Sequence, residues 1–450
     1  MYNKDNLKYF KVFSQRLFIF VVIILLQFNG AFSNDTLSGS PINFHFQQTI
    51  IMQYHPDFHA EYSGLHSLLS NEEYEVSVTS TFFFGLKLSP STEFYLNPEL
   101  TGGQGLSGTY GIAGFPNGEV YRVGNPKPEI TFARALVRQT INLSNTLDTV
   151  NDGQNQFPDI RSNSYMTITA GKFSITDIFD DNNYSHEPRT QFMNWALMSA
   201  GAWDYPANTK GYTWGIALEL VNPSWAVRLA GVMVPTEANQ STFDTKIGQA
   251  NGLAFEFEKN YSWFEREGSI KFIAFLNNAR MGNYKEALLL PKDSIDITQT
   301  RQYGRNKYGF CINVEQDLSD KSGLFARLSW NDGQNETWAF TEIDQSLSFG
   351  ALFHGGLWSR ETDRLGLAFV LNGISKEHRD YLAAGGYGFI IGDGKLNYAL
   401  ETIFEAYYSF FIHDADHFWF SPDYQFVLNP AYNKDRGPVH ILGFRIHIEF

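Results

Sequence analysis

The segment Asp177–Lys210 gathers the side chains best suited to chemistry: Asp177, Asp180, Asp181, His186, Glu187, Arg189 and Asp204, with Trp195, Trp203 and Tyr205. Aromatic rings beside carboxylates and an arginine suit a sugar. The rings stack on the apolar face of a pyranose, and the charged groups hydrogen-bond its hydroxyls. The pattern predicts a constriction built from Asp177, Asp180, Asp181, His186, Arg189, Trp203 and Asp204, with Arg189, Asp180, Asp181 and Trp203 facing an aqueous passage. The rival reading is that these groups pin the segment to a wall through ion pairs. Asp177, Asp180, Asp181 and His186, within ten residues, also have the donor chemistry of a Mn²⁺ site. Acidic loops are common, so no dedicated metal site and no cofactor is expected.

Enzymatic readings find little support. Asp180 and Asp181 are adjacent, whereas glycosidase carboxylates must flank their sugar from two sides. No GxxxxGK[ST], HExxH or GxSxG motif occurs. The glycine-rich run Gly102–Gly108 does not sit between a strand and a helix, and reads as a loop or bulge. Cys311 is the one cysteine, so no intramolecular disulfide forms. It lies in an apparent strand, Tyr308–Asp317, as a small lumenal or packing residue. The expected function is passage of small hydrophilic solutes rather than catalysis.

The elements that position these groups alternate with period two. Trp225, Val227, Leu229 and Met233 share one face, with Ala226, Arg228 and Ala230 on the other. Leu253, Phe255 and Phe257 lie opposite Glu256 and Glu258, and Leu324, Leu328 and Trp330 opposite Arg327 and Ser329. Leu396, Tyr398, Leu400 and Phe404 lie opposite Asn397, Glu401 and Glu405. Such alternation marks strands with one wet and one apolar face. The polar face carries full charges in mid-strand: Arg134, Arg138, Arg228, Glu256, Glu258, Lys271, Arg327 and Glu401. Apolar faces end in Trp, Tyr or Phe, as the aromatic girdles of a membrane barrel require. The inward charges either set a field across a lumen or pair on its wall. The pattern predicts an all-β fold: a transmembrane antiparallel β-barrel of about 16 strands. Ser89–Ser91, Asn222–Pro223 and Ser319–Ser322 read as short turns. Gly102–Pro128, Asp177–Lys210 and Asn278–Asn306 read as long loops at the opposite end.

Composition agrees. Aromatics make up 16% of the chain, with 40 Phe and 23 Tyr, and apolar residues only 43%. Mean hydropathy is -0.26, too low for a bundle of membrane helices. A net charge of -14 argues against nucleic acid as a partner. Lys4, Lys8, Lys11 and Arg16 precede the apolar run Leu17–Leu26 and the small-residue site Ala31-Phe32-Ser33. This predicts a signal peptide over 1–33, cleaved before Asn34, and a single barrel domain over 34–450. The last residues alternate to the end: Phe444, Ile446, Ile448 and Phe450 on one face, Arg445, His447 and Glu449 on the other.

Several stretches resemble the carbohydrate-selective porin family, the OprB-like outer-membrane porins. They are HFQQTIIMQYHPDFHAEYSG (45–64), GLSGTYGIAGFPNGEVYRVG (105–124), ARALVRQTINL (133–143), the block 167–215 containing FMNWALMSAGAWDYPANTKGYTWG, and PDYQFVLNPAYNKDRGPVHILGFRIHIEF (422–450). The resemblance implies sixteen strands, extracellular loops folded inward to narrow the lumen, a bacterial outer-membrane location and passive uptake of sugars. The block around Phe192–Gly215 is also similar to a manganese-selective branch, so a divalent-cation porin of the same architecture is the alternative. A final strand ending at Phe450 resembles the assembly signal read by the barrel-assembly machinery. Outer-membrane lipid and lipopolysaccharide are the expected surroundings. Association as a homotrimer is left open.

Overall fold

A computed structural model describes residues 40–120, 126–291, 295–411 and 417–450. The expected signal peptide, 1–33, lies outside the described residues. The first strands are β1 (Ile42–His55), β2 (Glu73–Ser89), β3 (Thr92–Gly103), β4 (Glu129–Asn142), β5 (Leu147–Val150), β6 (Asp159–Ser162), β7 (Tyr165–Phe173), β8 (Thr213–Asn222) and β9 (Trp225–Val232). The rest are β10 (Asn251–Trp263), β11 (Arg266–Ala279), β12 (Arg305–Ser319), β13 (Ser322–Asn331), β14 (Gln345–His354), β15 (Arg364–Gly373), β16 (Glu401–Phe411), β17 (Phe418–Leu428) and β18 (Val439–Glu449). Sixteen of them close one antiparallel barrel, in which β18 pairs with β1 and β4 with β7. β5 and β6 form a separate hairpin.

The barrel turns the usual burial rule inside out. On β10, Leu253, Phe255 and Phe257 are exposed, while Ala254 and Glu256 are buried. Leu218, Leu229, Phe272, Leu328, Phe349 and Phe369 continue the exposed apolar band on other strands. So large an apolar surface would make a water-soluble protein aggregate, and it suits contact with lipid. Closure leaves no unpaired strand edge, which is the condition for a sheet to span a membrane. No helix among the described residues is long and apolar enough to cross a membrane.

The two rims differ. One carries short links at 90–91, 223–224, 264–265 and 320–321; the other carries 56–72, 104–128, 174–212, 233–250, 280–304, 332–344 and 374–400. By the rule for such barrels, the first rim is periplasmic and the second extracellular. Two longer connections share the periplasmic rim among the described residues: 355–363, and 143–164, which holds the β5–β6 hairpin.

Inward-folded loops need partners for their backbone amides, because irregular backbone without hydrogen bonds is costly inside a barrel. The wall supplies carboxylates. Glu401 accepts from the backbone N–H groups of Ala113 (2.9 Å), Gly114 (2.7 Å) and Ala431 (2.8 Å). Glu405 accepts from Met193 (2.6 Å) and Asn194 (3.0 Å). Glu256 accepts from Asp180 (2.7 Å) and Glu315 from Asn183 (2.7 Å). The inward charges also pair with one another: Arg228 lies 3.2 Å from Glu219 and 2.6 Å from both Glu256 and Glu258. Cys311 is buried on the same inner side. The alternation through Leu396–Leu400 does not mark a strand. β16 starts at Glu401, and Tyr398 leaves the ladder to bridge Asn433 and lie beneath the Arg379 guanidinium, 4.9 Å away.

Candidate pore constriction

Within 174–212 a tight turn projects Arg189. The backbone N–H groups of His186 and Glu187 donate to Gln191 Oε1 (2.6 and 3.0 Å), and Gln191 N donates to Glu187 O (2.8 Å). The guanidinium thereby reaches β2 and β3. Arg189 Nη1 donates to Thr81 Oγ1 (3.1 Å), Nη2 to Glu99 Oε2 (3.1 Å) and Nε to Glu119 Oε2 (2.8 Å). Glu99 also accepts from Tyr212 Oη at 3.2 and 3.3 Å and from Thr81 Oγ1 at 2.7 Å. The Tyr212 ring lies 5.5 Å from the Arg134 guanidinium and 5.9 Å from Lys172 Nζ. Arg134 grips Asp177 with two hydrogen bonds, 2.7 and 2.5 Å. Lys210 Nζ lies 2.6 Å from Glu129.

Two cavities meet at this ring. The upper one is bounded by Thr79, Thr101, Phe115, Trp195 and Phe340. The lower one is bounded by Gln47, Arg134, Asn155, Asp177, His186 and Glu187. Both share Gly118, Glu119, Arg189, Tyr205, Lys210, Gly211 and Tyr212, so these residues form an eyelet between two chambers. Its lining mixes ion-paired groups with aromatic rings; Phe115 and Trp195 stack above it at 4.9 Å and 18°. Burial pushes the Glu119 carboxyl up, against the pull of Arg189 and with help from Glu187 and Glu99. Arg189 is held above its ordinary value: burial opposes this, but Glu119, Glu99 and Glu187 outweigh it. Asp181 is held below its ordinary value, where His186, Lys271 and Arg228 overcome the cost of enclosure.

The expected constriction residues separate into two groups. Asp177, His186 and Arg189 line the lower chamber. Asp180, Trp203 and Asp204 do not face a passage. Asp180 is buried, pairs with Arg327 (3.0 Å), accepts from Asn313 (2.7 Å) and accepts from Ala200 N (2.6 Å). Trp203 is buried among Phe179, Tyr205 and Phe275. Asp204 accepts from the N–H groups of Trp338, Ala339 and Phe340 at 2.7, 2.9 and 3.1 Å. Burial with every oxygen engaged makes Asp180 and Asp204 anchors of the segment, the pinning that the sequence left as the rival reading. The Asp181 side chain, enclosed by the barrel but open to water, lines neither chamber, and its carbonyl accepts from Lys271 (2.5 Å) and Asn313 (3.0 Å). Asp177, Asp180, Asp181 and His186 thus do not converge, and no cluster of three metal-ligating side chains occurs among the described residues. On the wall, Arg134 reaches the lower chamber and Arg138 stacks over Tyr95 at 5.1 Å. Arg228, Glu256, Glu258, Arg327 and Glu401 serve the pairs and clamps given above.

Sequence reasoning missed Glu119 and Tyr212 as eyelet residues, and Glu99 as the wall carboxylate that holds Arg189 and Tyr212. Glu99 was within reach, since period two puts it on the same inward face as Asn97 and Thr101. Glu119 was not, because a loop has no period.

Residues 85–450 match the sequence pattern of the family described as carbohydrate-selective porin, OprB family. The chain belongs to that family. The porin is an outer-membrane β-barrel. No curated protein sequence matches it. Among solved structures it is similar to Pseudomonas putida OprB, at high pH, with TM-score 0.68 and 14% identity over 91% of this chain and 94% of the other. It is also similar to the outer-membrane channel DcaP of Acinetobacter baumannii, with TM-score 0.51 and 8% identity over 91% and 97%. At these identities the likeness concerns the fold: this porin shares the closed barrel with both.

Proposed function

We propose that this porin lets small hydrophilic solutes, carbohydrates foremost, diffuse passively across the outer membrane. The observation that supports this is the eyelet shared by two chambers, where Arg189 and Glu119 lie beside Tyr205 and Tyr212. Paired charges offer hydrogen bonds to hydroxyls without a large net field, and rings offer a stacking surface. The rival, a divalent-cation porin, needs a ring dominated by carboxylates. Here Arg189 and Lys210 share the ring with Glu119, which favours neutral polyols. Liposome swelling with monosaccharides, beside reversal potentials in a manganese chloride gradient, separates the two. Swelling with weak ionic selectivity is expected; strong manganese selectivity without sugar swelling overturns the reading.

The exposed apolar band is assigned to outer-membrane lipid and lipopolysaccharide. Phe450 is assigned to recognition by the barrel-assembly machinery. It closes the barrel seam through N to Phe46 O (2.8 Å) and Phe46 N to its own O (3.0 Å). Deleting Phe450 is expected to lower the folded fraction in the outer membrane. The export signal, residues 1–33, is tested by N-terminal sequencing of the membrane fraction, with Asn34 as the expected first residue. Cross-linking of intact membranes reports whether barrels associate as trimers.

A further inference from the structure

The β5–β6 hairpin sits at the rim of short turns, yet its tip enters the barrel. β2 descends from Glu73 at the extracellular rim to Ser89 at the periplasmic rim, so Phe83, Gly85 and Lys87 line its lower inner wall. Phe157 of the tip is buried against them. Its ring lies 6.3 Å from Phe83 and 6.0 Å from Tyr95, with Lys87 Nζ 5.3 Å away. Gly85 makes the seat: a Cβ there would stand 2.5 Å from the Phe157 ring. Polar contacts fix the rest of the tip. Asn43 Nδ2 donates to Asp152 (2.7 Å), His45 Nε2 lies 3.1 Å from the same carboxylate, and Lys87 Nζ donates to Pro158 O (3.2 Å). Asn155 then reaches up to Asn97, the residue opposite Arg134 in the β3–β4 register. Its side chain borders the lower chamber with Gln47 and Arg134.

We propose that the hairpin tip 151–158 is a second constriction, entering from the periplasmic side, that limits the size of solute leaving the eyelet. Phe157 is its anchor and Asn155 its lining residue. The proposal rests on the channel reading. A solute that has passed Arg189 and Glu119 meets an amide rim, Asn155 and Gln47, before the exit. The rim has no net charge, so it sorts by size and hydroxyl pattern rather than by ionic sign. The eyelet, with its ion pairs, handles charge.

The test compares the full-length wild type with Phe157→Ala and Asn155→Gly in liposome swelling and planar bilayers. Phe157→Ala removes the anchor. Asn155→Gly removes only the lining side chain, at a position whose φ of +60° already suits glycine. Both variants are expected to raise conductance and the disaccharide-to-monosaccharide swelling ratio, Phe157→Ala more strongly, with cation-to-anion preference unchanged. If Phe157→Ala does not fold, as read by heat-modifiable gel mobility, Asn155→Gly decides alone. A wild type that passes no sugar defeats the channel reading. A wild type that passes sugar, with folded variants of unaltered size dependence, overturns the second constriction.

Discussion

Of the arginine–carboxylate pairs that tie the segment 174–212 to the barrel, two have opposite polarity. On one side the loop gives the acid, Asp180, and β13 the base, Arg327, with side chains 0% and 1% exposed. On the other the loop gives the base, Arg189, and β3 the acid, Glu99. Arg327 uses its donors on loop oxygens: Asp180 Oδ1 and O, Leu197 O (3.0 Å) and Ser185 O (2.6 Å). No cavity borders it among the chambers described here. Arg189 instead donates to two carboxylates, Glu99 and Glu119, and to the Thr81 hydroxyl, and it stands on the wall of both chambers. The lesson is that an inward charge becomes a latch where loop backbone closes over it, and a pore lining where the loop stops short. Strand alternation is the same in both places.

The sharpest way to break this contrast is Arg327→Leu beside Arg189→Ala. Removing Arg327 strands Asp180 in a dry site, a change that costs about 3–5 kcal/mol for buried pairs. Removing Arg189 also leaves buried carboxylates, but Thr81 and Tyr212 still donate to Glu99 and Glu119 borders both chambers, so the loss is expected to be smaller. Thermal midpoints from heat-modifiable gel mobility check the difference. Equal losses in the two variants would erase the distinction between latch and lining.

Glu401→Ala comes next in size. It frees the backbone N–H groups of Ala113, Gly114 and Ala431 at once, and an unsatisfied buried donor costs about 1–3 kcal/mol. The expected outcome is faster proteolysis within 104–128 at unchanged barrel mobility on gels. Protection equal to that of the wild type would show that the clamp is redundant.

How far these sites were legible follows from the same contrast. Period two disclosed the barrel, its sixteen strands and the inward position of Arg228, Glu256 and Arg327, because a strand alternates whatever it later touches. The location of the main constricting segment was also legible, from the density of its charged and aromatic groups. Which of those groups face water was not. Asp180 and Arg189 are nine residues apart in one acidic, aromatic loop, and only tertiary closure makes one an anchor and the other a lining. The hairpin tip escaped for a related reason. Phe157 carries no signal of its own, and its seat, Gly85, reads as an ordinary glycine in a strand until the ring above it is known.

At the eyelet itself, Arg189→Ala is expected to shift ion selectivity as well as stability. Glu99 and Glu119 lose the cation between them, so the ring turns negative and cation preference rises in reversal-potential measurements. Unchanged selectivity would remove Arg189 from the passage and leave it as a tether.

The smallest effect expected is the response of the same ring to pH. Burial, Glu187 and Glu99 raise the Glu119 carboxyl above its ordinary value, so it takes up its proton at a higher pH than a solvated glutamate. Arg189, held above its ordinary value, stays charged throughout. As pH falls and Glu119 takes up its proton, the eyelet loses a negative charge and keeps its positive one, so the cation-to-anion permeability ratio falls. Glu119→Gln mimics the protonated form: it lowers that ratio at neutral pH and flattens its dependence on pH. His186 and Glu187 also border the lower chamber, and the variant separates Glu119 from these neighbours. A pH profile identical in Glu119→Gln and wild type would assign the response to those neighbours, and would make Glu119, like Asp180, a tether instead of a lining.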